Sequence, residues 1–488
     1  MLLNFALAVL SALLMAAAYP RFNVAVLAPV AIAPLLVAVA RERRHFRRFL
    51  AGWLAGIVYW AAVCYWIQDV LTVHGNMAQW ASWLAFALFS AAKGLHLAVF
   101  GLAAGFLIDS AWALLAVPAL WVAVESTHGS LGFAWLTLGN AGIGMGVPMR
   151  LAPWTGVLGL SFVFAMTATA LALALLGRPR WQLGWLLLLP PLYLFPALPD
   201  AQRGAESAVL VQPNISESAD WSPEWVDRMH ARLASLSVAA VTRPGTLLIW
   251  PEIPAPMYYY ENPRFRDEIG AVARDTGAYL LLNVVPHTSD GAPLNSALLI
   301  SPEGQPLARY DKMNLVPFGE FVPGVFKALV DKVSTEAGDF APGQSQTLLP
   351  AGSHRIGTFI CYESVFGNFV RKFPAQGADL LVNISNDGWY GRSAARYQHL
   401  LIARMRAAEN RRWVLRATND GITSTIDPAG RVYENLLSYK TGAAATRYSY
   451  IRDVTFYSRH GDWFAWLCAA GAAFALAARG VRRLTRAG

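Results

Sequence analysis

Two short apolar runs, each ending in an ionisable residue, decide the fold of the central part of the chain. Residues 246–252 read TLLIWPE, and residues 356–361 read IGTFIC. In both runs, residues of high strand propensity lead to a polar group at the point where a buried strand would end. Similar strand-like runs and intervening helix-like stretches occur at 208–211, 279–285, 296–300 and 380–384, and at 223–240, 263–276, 364–376 and 397–411. Strands that alternate with helices predict an α/β layered domain.

Long apolar stretches flank this domain. Those long enough, or nearly so, to cross ~30 Å of hydrocarbon occur at about 3–19, 23–40, 50–68, 79–107, 111–126, 154–177, 182–198 and 463–478. With 55% hydrophobic and only 15% charged residues, the chain is too apolar for an ordinary soluble enzyme. The sequence therefore predicts a membrane domain of about seven transmembrane helices at 1–198, an α/β domain at 199–461, and a final span with a basic tail at 462–488. We expect the first span to be retained, because no basic residue precedes it.

The net charge of +9 is concentrated in short clusters beside the apolar stretches. They lie at residues 41–48, at 178–180 and in the tail after 478. An amino terminus on the cytoplasmic side puts all three clusters on that side, as the positive-inside rule requires. The same count puts residues 199–461 outside the cytoplasm. Clustering of this kind indicates membrane topology rather than nucleic-acid binding, which we do not expect.

Three residues of the α/β domain have the chemistry of a nucleophilic centre. Cys64 and Cys468 lie inside apolar runs, which leaves Cys361 as the one cysteine to explain and excludes a disulfide framework. A cysteine nucleophile needs a base and a cation for the developing oxyanion, and Glu252 and Lys312 could supply them. No histidine is near these motifs in sequence, so a Cys–His pair is poorly supported. Taken singly, these residues are more typical of a packed cysteine, a turn glutamate and a solvated lysine than of a catalytic centre.

In combination, the motifs resemble those of one enzyme family. In chain order they are VQPNI at 211–215, WPE at 250–252, KMNLVPFGE at 312–320, ICYE at 360–363, NISNDGWYG at 383–391, QHL at 398–400, RMRAAE at 404–409, RATNDGIT at 416–423 and IDPAG at 426–430. This set resembles the nitrilase superfamily and, more narrowly, its membrane-anchored branch, the apolipoprotein N-acyltransferases. The layout of spans resembles that branch as well. Pro213 and Val284 depart from the family pattern, which more often has glycine at both positions.

The resemblance implies a nitrilase-like αββα sandwich and a role for each matching residue. Cys361 corresponds to the nucleophile, Glu252 to the general base and Lys312 to the oxyanion-stabilising cation. Glu320 matches a second active-site carboxylate, which would orient Lys312; the alternative is a loop charge. The backbone N–H of Tyr362 would be an oxyanion donor.

The remaining matches concern the pocket around this triad. The resemblance implies that Glu363 organises the pocket rather than reacts. Trp221 matches a tryptophan on a mobile loop, where it would serve as a lid, although a half-buried surface tryptophan fits nearly as well. The aromatic stretch at 257–260 is either an interfacial patch or a packed loop.

The resemblance also implies the reaction and its partners. An acyl chain would pass from a membrane phospholipid, by family usage phosphatidylethanolamine, through a Cys361 thioester to the α-amine of the amino-terminal diacylglyceryl-cysteine of an apolipoprotein. The enzyme would act as a monomer in the bacterial inner membrane, with its catalytic domain on the periplasmic side. No metal or organic cofactor is expected, since no cluster has metal-ligand spacing and no phosphate loop is present.

Two other functions remain open on the sequence. The first is an amidase or nitrilase-type hydrolase with the same triad and water as the acceptor. The second is a non-enzymatic membrane protein, such as a transporter or scaffold, whose outer domain only binds. Transporters have ionisable groups inside their spans, and here the spans carry little beyond Lys93 and His96.

Overall fold

The computed structural model describes residues 1–130, 133–201, 204–217, 219, 221–255, 257–321 and 340–487. Its described residues form two compact units. We call residues 1–69, 78–198 and 460–488 the helical unit, and residues 70–77 and 199–459 the sheet unit.

The helical unit is built almost wholly of apolar helices. Its α-helices are Leu2–Ala17, Ala33–Arg41, His45–Val63, Gln79–Leu107, Ala113–Glu125, Ala152–Thr155, Val157–Leu175 and Trp463–Ala487, with Trp66–Val73 running into the sheet unit. Its 3₁₀ helices are Ala25–Val30, Leu138–Gly144, Pro148–Leu151, Arg180–Leu188 and Pro190–Leu194. By length and composition, three of the described helices can cross a membrane, or four if the pair His45–Val63 and Trp66–Val73, bent by 58°, is one span.

The structure differs from the sequence prediction in the last apolar stretch before the sheet unit. Residues 182–198 were expected to form one long helix, but 180–194 form two 3₁₀ helices. Pro190 and Pro191 cannot donate the backbone N–H bonds that a continuous α-helix needs there, and Gly184 weakens the preceding turn. Hydrophobicity alone does not reveal this break.

Glycines let two helices of this unit approach closely. Helix His45–Val63 packs against Gln79–Leu107, and a Cβ atom placed on Gly56 would lie 2.5 Å from the Cα of Gly94. Such a distance is far below van der Waals contact. Gly52 and Gly56 are spaced as in the small-residue motif that brings membrane helices together.

The sheet unit contains two six-stranded sheets. The strands are β1 Glu206–Gln212, β2 Leu247–Ile249, β3 Tyr279–Val284, β4 Ser296–Ile300, β5 Pro306–Asp311, β6 Leu348–Ala351, β7 His354–Ile360, β8 Leu380–Ser385, β9 Val414–Thr418, β10 Thr423–Ile426, β11 Val432–Leu436 and β12 Gly442–Tyr448. The strand orders are β12-β1-β2-β3-β4-β5 and β11-β10-β9-β8-β7-β6. In each sheet three neighbouring strands are parallel, β1 to β3 and β7 to β9, and the outer ones are antiparallel.

Successive side chains of a strand point to opposite faces of its sheet, and both faces are buried in this sandwich. On β2, Leu247 and Ile249 face a core that the two sheets share, whereas Leu248 faces a second core under the helices. Those helices are Pro223–Ala240 and Pro263–Thr276, which connect β1 to β2 and β2 to β3. Side chains that point alternately to two buried faces explain why the central strands read as continuous apolar runs.

The predicted α/β layered fold is confirmed. All six strand-like runs are strands, and the helices predicted at 223–240 and 263–276 have those bounds. The helix predicted at 397–411 is Ala395–Asn410, whereas 364–376 contains two one-turn helices, Gly367–Val370 and Lys372–Ala375. The short one-turn helix Phe456–His460 ends the unit.

Candidate active site

Cys361 follows the last residue of β7, at the carboxyl end of a central parallel strand. Its φ is 49°, in the left-handed region that costs a residue other than glycine roughly 1–2 kcal/mol. The chain turns there into the 3₁₀ helix Cys361–Val365. The residue is 5% exposed, so the thiol is buried. A strained turn of this kind is held by the surrounding structure and fixes the direction of the side chain.

Glu252 and Lys312 follow other strand ends and meet at the same site. Glu252 is three residues beyond β2, and Lys312 directly follows β5. Lys312 is 1% exposed, and its Nζ lies 3.4 Å from Glu252 Oε1. Both residues interact electrostatically with Cys361. The structure therefore brings together the three residues that the sequence motifs selected, although the first and last are 109 positions apart.

Glu320 and Asn295 complete a network around the ammonium group. Glu320 Oε1 accepts a hydrogen bond from Lys312 Nζ at 2.8 Å. The Nδ2 of Asn295, just before β4, donates to Glu252 Oε1 and to Glu320 Oε1, both at 2.7 Å. The Val316 backbone N–H donates to the second oxygen of Glu320 at 2.8 Å. Two carboxylates are thus held on one buried cation by a shared amide.

The charges of this network set the protonation of the Cys361 thiol. Burial and the Glu252 carboxylate raise the pKa of the Cys361 thiol, while Lys312 opposes them. Burial alone would lower the pKa of Lys312, but Glu252 and Glu320 outweigh burial and raise it. The cation is therefore permanent, and the thiol is protonated at neutral pH in the absence of substrate. A protonated thiol can act as a nucleophile only with a base within reach. Glu252 is a carboxylate that interacts with both the Cys361 thiol and the Lys312 ammonium.

Glu363 binds the backbone that carries the site. Its carboxylate accepts from the Tyr310 hydroxyl at 2.7 and 2.8 Å and from the backbone N–H groups of Met313, Asn314 and Ile360 at 2.8, 3.0 and 2.8 Å. These donors join β5, the segment after Lys312 and the turn at the nucleophile. With both oxygens occupied and the side chain fully buried, Glu363 is suited to positioning. Tyr362 is also buried and packs edge-on against Phe366, with ring centroids 5.2 Å apart.

A histidine does lie beside Cys361, although none is near it in sequence. His399 Nε2 is 3.1 Å from the Cys361 carbonyl oxygen and 2.8 Å from Ser364 Oγ, and Nδ1 is 3.0 Å from Asp387 Oδ1. Asp387 also receives Arg416 Nη2 at 2.8 and 2.9 Å. Burial and the Arg416 guanidinium lower the pKa of His399. The ring faces the backbone of the nucleophile and supports the turn.

Glu217 is a further carboxyl group at this site that the motifs did not single out. Its Oε1 accepts from Asn386 Nδ2 at 2.8 Å, and the Asn386 backbone N–H donates to Glu252 Oε2 at 3.0 Å. Burial raises the pKa of Glu217 to about 8, and the negative charges of Asp420 and Glu252 add to the effect. Glu217 is therefore mostly protonated at neutral pH.

The aromatic residues predicted near the site have mixed environments. Trp221 is partly buried and packs edge-on against Trp225, with centroids 5.1 Å apart. Met257 and Tyr259 are buried, whereas Tyr258 and Tyr260 are each 42% exposed. The Arg309 guanidinium lies 5.4 Å from the Tyr260 ring centroid. The stretch at 257–260 is thus half packed loop and half exposed aromatic surface.

Comparison with protein families gives two matches that together extend over most of the chain. Residues 11–170 match a family model described as Apolipoprotein N-acyltransferase N-terminal domain, and residues 208–444 match one described as Carbon-nitrogen hydrolase. The first match lies in the helical unit apart from residues 70–77, and the second lies in the sheet unit.

Individual relatives match nearly end to end. The chain is 34% identical to a protein of Geobacter metallireducens named apolipoprotein N-acyltransferase, over 96% of this chain and 94% of the relative. It is 32% identical to the protein of that name from Pseudomonas syringae pv. tomato, over 90% of each chain. Among solved structures, an amidase from Nesterenkonia sp. aligns with 55% of this chain and 97% of its own, at 19% identity and a TM-score of 0.39.

Proposed function

The chain belongs to the apolipoprotein N-acyltransferase family, and from that membership we propose that it transfers an acyl chain in two steps through Cys361. It is an acyltransferase, and its apolar helices are those of a membrane protein. The observation that supports the proposed chemistry most strongly is the buried Lys312 ammonium, which lies 3.4 Å from Glu252 and interacts with Cys361.

In the first step, Cys361 Sγ attacks the ester carbonyl of a phospholipid as Glu252 takes the thiol proton. The tetrahedral oxyanion is stabilised by Lys312 and by backbone N–H groups, that of Tyr362 among them. Collapse breaks the ester C–O bond, and Glu252 returns the proton to the departing lysophospholipid. The product on the enzyme is a thioester at Cys361. Glu320 and Asn295 keep Lys312 and Glu252 oriented, and Glu363 fixes the turn that carries the nucleophile.

In the second step, the acyl chain passes from the Cys361 thioester to an amine. The α-amine of the diacylglyceryl-cysteine of an apolipoprotein attacks the thioester, and Glu252 accepts the proton that the nitrogen loses. The C–S bond breaks, the amide forms, and the thiol recovers a proton. We propose phosphatidylethanolamine as the donor, with Trp221 as a lid over the acyl chain.

The proposed arrangement in the cell follows from charge and hydrophobicity. Residues 1–198 and 462–488 form the membrane domain, and residues 199–461 the catalytic domain. The basic clusters face the cytoplasm, so the catalytic domain is on the periplasmic side of the inner membrane. One copy of the chain contains every residue of the proposed centre, which fits a monomer.

Intact-mass analysis in detergent tests this proposal. The wild-type protein is incubated with a phospholipid and no acceptor, and Cys361→Ala is the control. We expect the mass of one acyl chain on the wild type alone, on the peptide that contains Cys361, and we expect its removal by hydroxylamine. An acyl mass on both proteins, or on neither, contradicts the assignment of Cys361.

A further inference from the structure

A cluster of basic and polar side chains lies inside the helical unit, apart from the proposed active site. Ser90, Lys93 and His96 are spaced three residues apart on helix Gln79–Leu107 and are 1%, 5% and 9% exposed. His128, just beyond helix Ala113–Glu125, stacks on His96 with ring centroids 4.2 Å apart. We call these four residues the Lys93 cluster. The proposed reaction uses none of them.

The positive charge in the cluster has little compensation. Lys93 Nζ is 3.4 Å from the His128 carbonyl oxygen and 5.1 Å from the ring centroid of Trp60. Among the residues that the structure describes, no carboxylate interacts with Lys93. A buried ammonium loses more free energy of hydration than one carbonyl and one aromatic face return. An anion beside Nζ would restore the balance.

Three neighbouring polar atoms lack partners, and two of them can donate to an anion. Ser90 Oγ, His96 Nε2 and His128 Nδ1 are buried, and within the described part of the chain no hydrogen-bond partner reaches them. Buried polar atoms are nearly always paired, so several unpaired ones around one cation indicate a ligand. Ser90 and His128 can donate. His96 Nδ1 lies 3.2 Å from the Lys93 carbonyl oxygen, which commits its proton there.

The depth of the cluster fits a lipid headgroup. Lys93 is 14 residues from Leu107, which is ~21 Å along the helix, and helix Ala113–Glu125 rises ~20 Å before His128. The helix ends at Leu107 and Ala113 are marked as interfacial by the exposed Trp112 and by the ion pair of Asp109 with Arg178. In a hydrocarbon layer of ~30 Å, the cluster therefore lies about 9 Å from the opposite headgroup boundary, in the half of the bilayer on that side.

We infer that the Lys93 cluster is a binding site for the phosphodiester of a membrane phospholipid. Lys93 contributes one positive charge and a phosphodiester carries one negative charge, so the pair is neutral inside the membrane. Ser90 and His128 donate to the phosphate oxygens, and the acyl chains remain among the apolar helices. The binding site stands independently of acyl transfer; only the assignment of the cluster to the outer leaflet rests on the proposed topology.

Binding is tested in the Cys361→Ala background, so that no turnover intervenes. Native mass spectrometry in detergent compares dioleoyl phosphatidylglycerol with dioleoylglycerol, which has the same chains and no phosphate. We expect the phospholipid to bind at least about tenfold more tightly, with Lys93→Met removing that preference and Lys93→Arg keeping most of it. Ser82→Ala is the matched control, because Ser82 is buried on the same helix and bonds its own backbone at Ala78.

The remaining outcomes decide between sources of the anion. Inorganic phosphate that displaces the lipid at equal concentration contradicts a lipid site and indicates a free anion instead. A preference for phospholipid that survives in Lys93→Met overturns the inference. If Lys93→Met does not purify as a folded protein, His128→Phe carries the same comparison. Failure here leaves acyl-enzyme formation at Cys361 untouched, so the two proposals fail separately.

Discussion

The side-chain amide of Asn295 donates to both carboxylates that flank Lys312, each at 2.7 Å. An asparagine NH₂ group has two hydrogens, and here each finds a charged acceptor. Its own carbonyl oxygen accepts from Asn283 Nδ2 at 2.9 Å, which fixes the orientation of the amide. Asn295 therefore determines where the proposed base stands relative to the cation.

Removal of this amide should slow acyl-enzyme formation. A hydrogen bond to a charged group contributes about 1.5–3 kcal/mol, so we expect Asn295→Ala to lower the rate about 10- to 100-fold. Asn295→Asp should be slower still, because it adds a third carboxylate. Both rates are measured by stopping the reaction with phospholipid at set times and determining the acylated fraction by mass spectrometry. The control is Asn262→Ala, which removes the cap of helix Pro263–Thr276 and should cost about 1 kcal/mol of stability without changing the rate. A rate for Asn295→Ala equal to that of the control contradicts the role.

Glu217 should make the stability of the sheet unit depend on pH. Its pKa is about 8 in the folded protein, against 4.5 for the free group. Between those values the folded state binds a proton that the unfolded chain does not, so this group contributes less stability as pH rises from about 4.5 towards 8. Glu217→Gln should therefore raise the unfolding temperature more at pH 8 than at pH 5. Exposed Glu224→Gln is the control, and a constant difference across pH contradicts the burial of a neutral Glu217.

The sequence motifs identified some residues of this site. They did not identify residues whose place in the site depends on contacts between distant parts of the chain. Cys361 and Glu252 could be selected because each closes an apolar run. Asn295 and Glu217 could not, because neither lies in one of the motifs and they bond Glu252 and Asn386 across 43 and 169 positions. His399 lies in the QHL motif, but its contact with the Cys361 carbonyl, 38 positions away, has no local pattern. No histidine is close to Cys361 in the sequence, but His399 lies beside it in the folded structure.

At the scale of elements, the apolar runs predicted five of the six parallel strands, β1 to β3, β7 and β8, together with β4. β4 was predicted to the residue because its five residues are uniformly buried. Strands β5, β6, β9, β10, β11 and β12 were missed. Four of them, β5, β6, β11 and β12, are the edge strands, where proline, charged or small residues interrupt the apolar pattern. β9 and β10 were missed because the polar residues Arg416, Thr423 and Thr425 interrupt theirs, although all three are buried. The 3₁₀ helices at 180–194 were missed for the opposite reason, since their composition is that of a span and only the prolines interrupt it.

Close helix packing at glycine gives a prediction at this scale. Gly56→Leu should separate helix His45–Val63 from Gln79–Leu107, since even a Cβ would meet the Gly94 backbone at 2.5 Å. We expect a lower unfolding temperature in detergent, corresponding to a loss of about 1–3 kcal/mol from overpacking. Gly471→Leu is the matched control, because nothing lies within 4 Å of a Cβ at that membrane-helix position. Equal melting of the two variants contradicts tight packing at Gly56.

At the scale of the whole molecule, orientation is set by charge. Three basic regions lie between or after the predicted spans, at 41–48, at 178–180 and in the tail. If the amino terminus is cytoplasmic, all three lie on the cytoplasmic side of the membrane. The proposed topology therefore assigns the sheet unit to the side opposite those clusters.

Labelling with a membrane-impermeant maleimide tests that orientation. Asp290 is at an exposed turn, and the cysteine of Asp290→Cys should react in cells whose outer membrane is permeabilised and whose inner membrane is intact. Cysteine at exposed Arg43 should react only after the inner membrane is opened. The native cysteines are buried and give little background. Labelling of Arg43→Cys before Asp290→Cys contradicts the proposed sidedness.

The most direct test of acyl transfer is the fate of a preformed acyl-enzyme. The wild-type protein is loaded with labelled phospholipid, freed of donor, and divided between buffer, a diacylated lipopeptide with a free α-amine, and the same lipopeptide N-acetylated. The proposed mechanism predicts that the label leaves Cys361 at least about tenfold faster with the free amine than in the other two samples, and appears as an amide. Loss of the label at one rate in all three samples, as free fatty acid, would mean that water is the acceptor and that Cys361 serves a hydrolase.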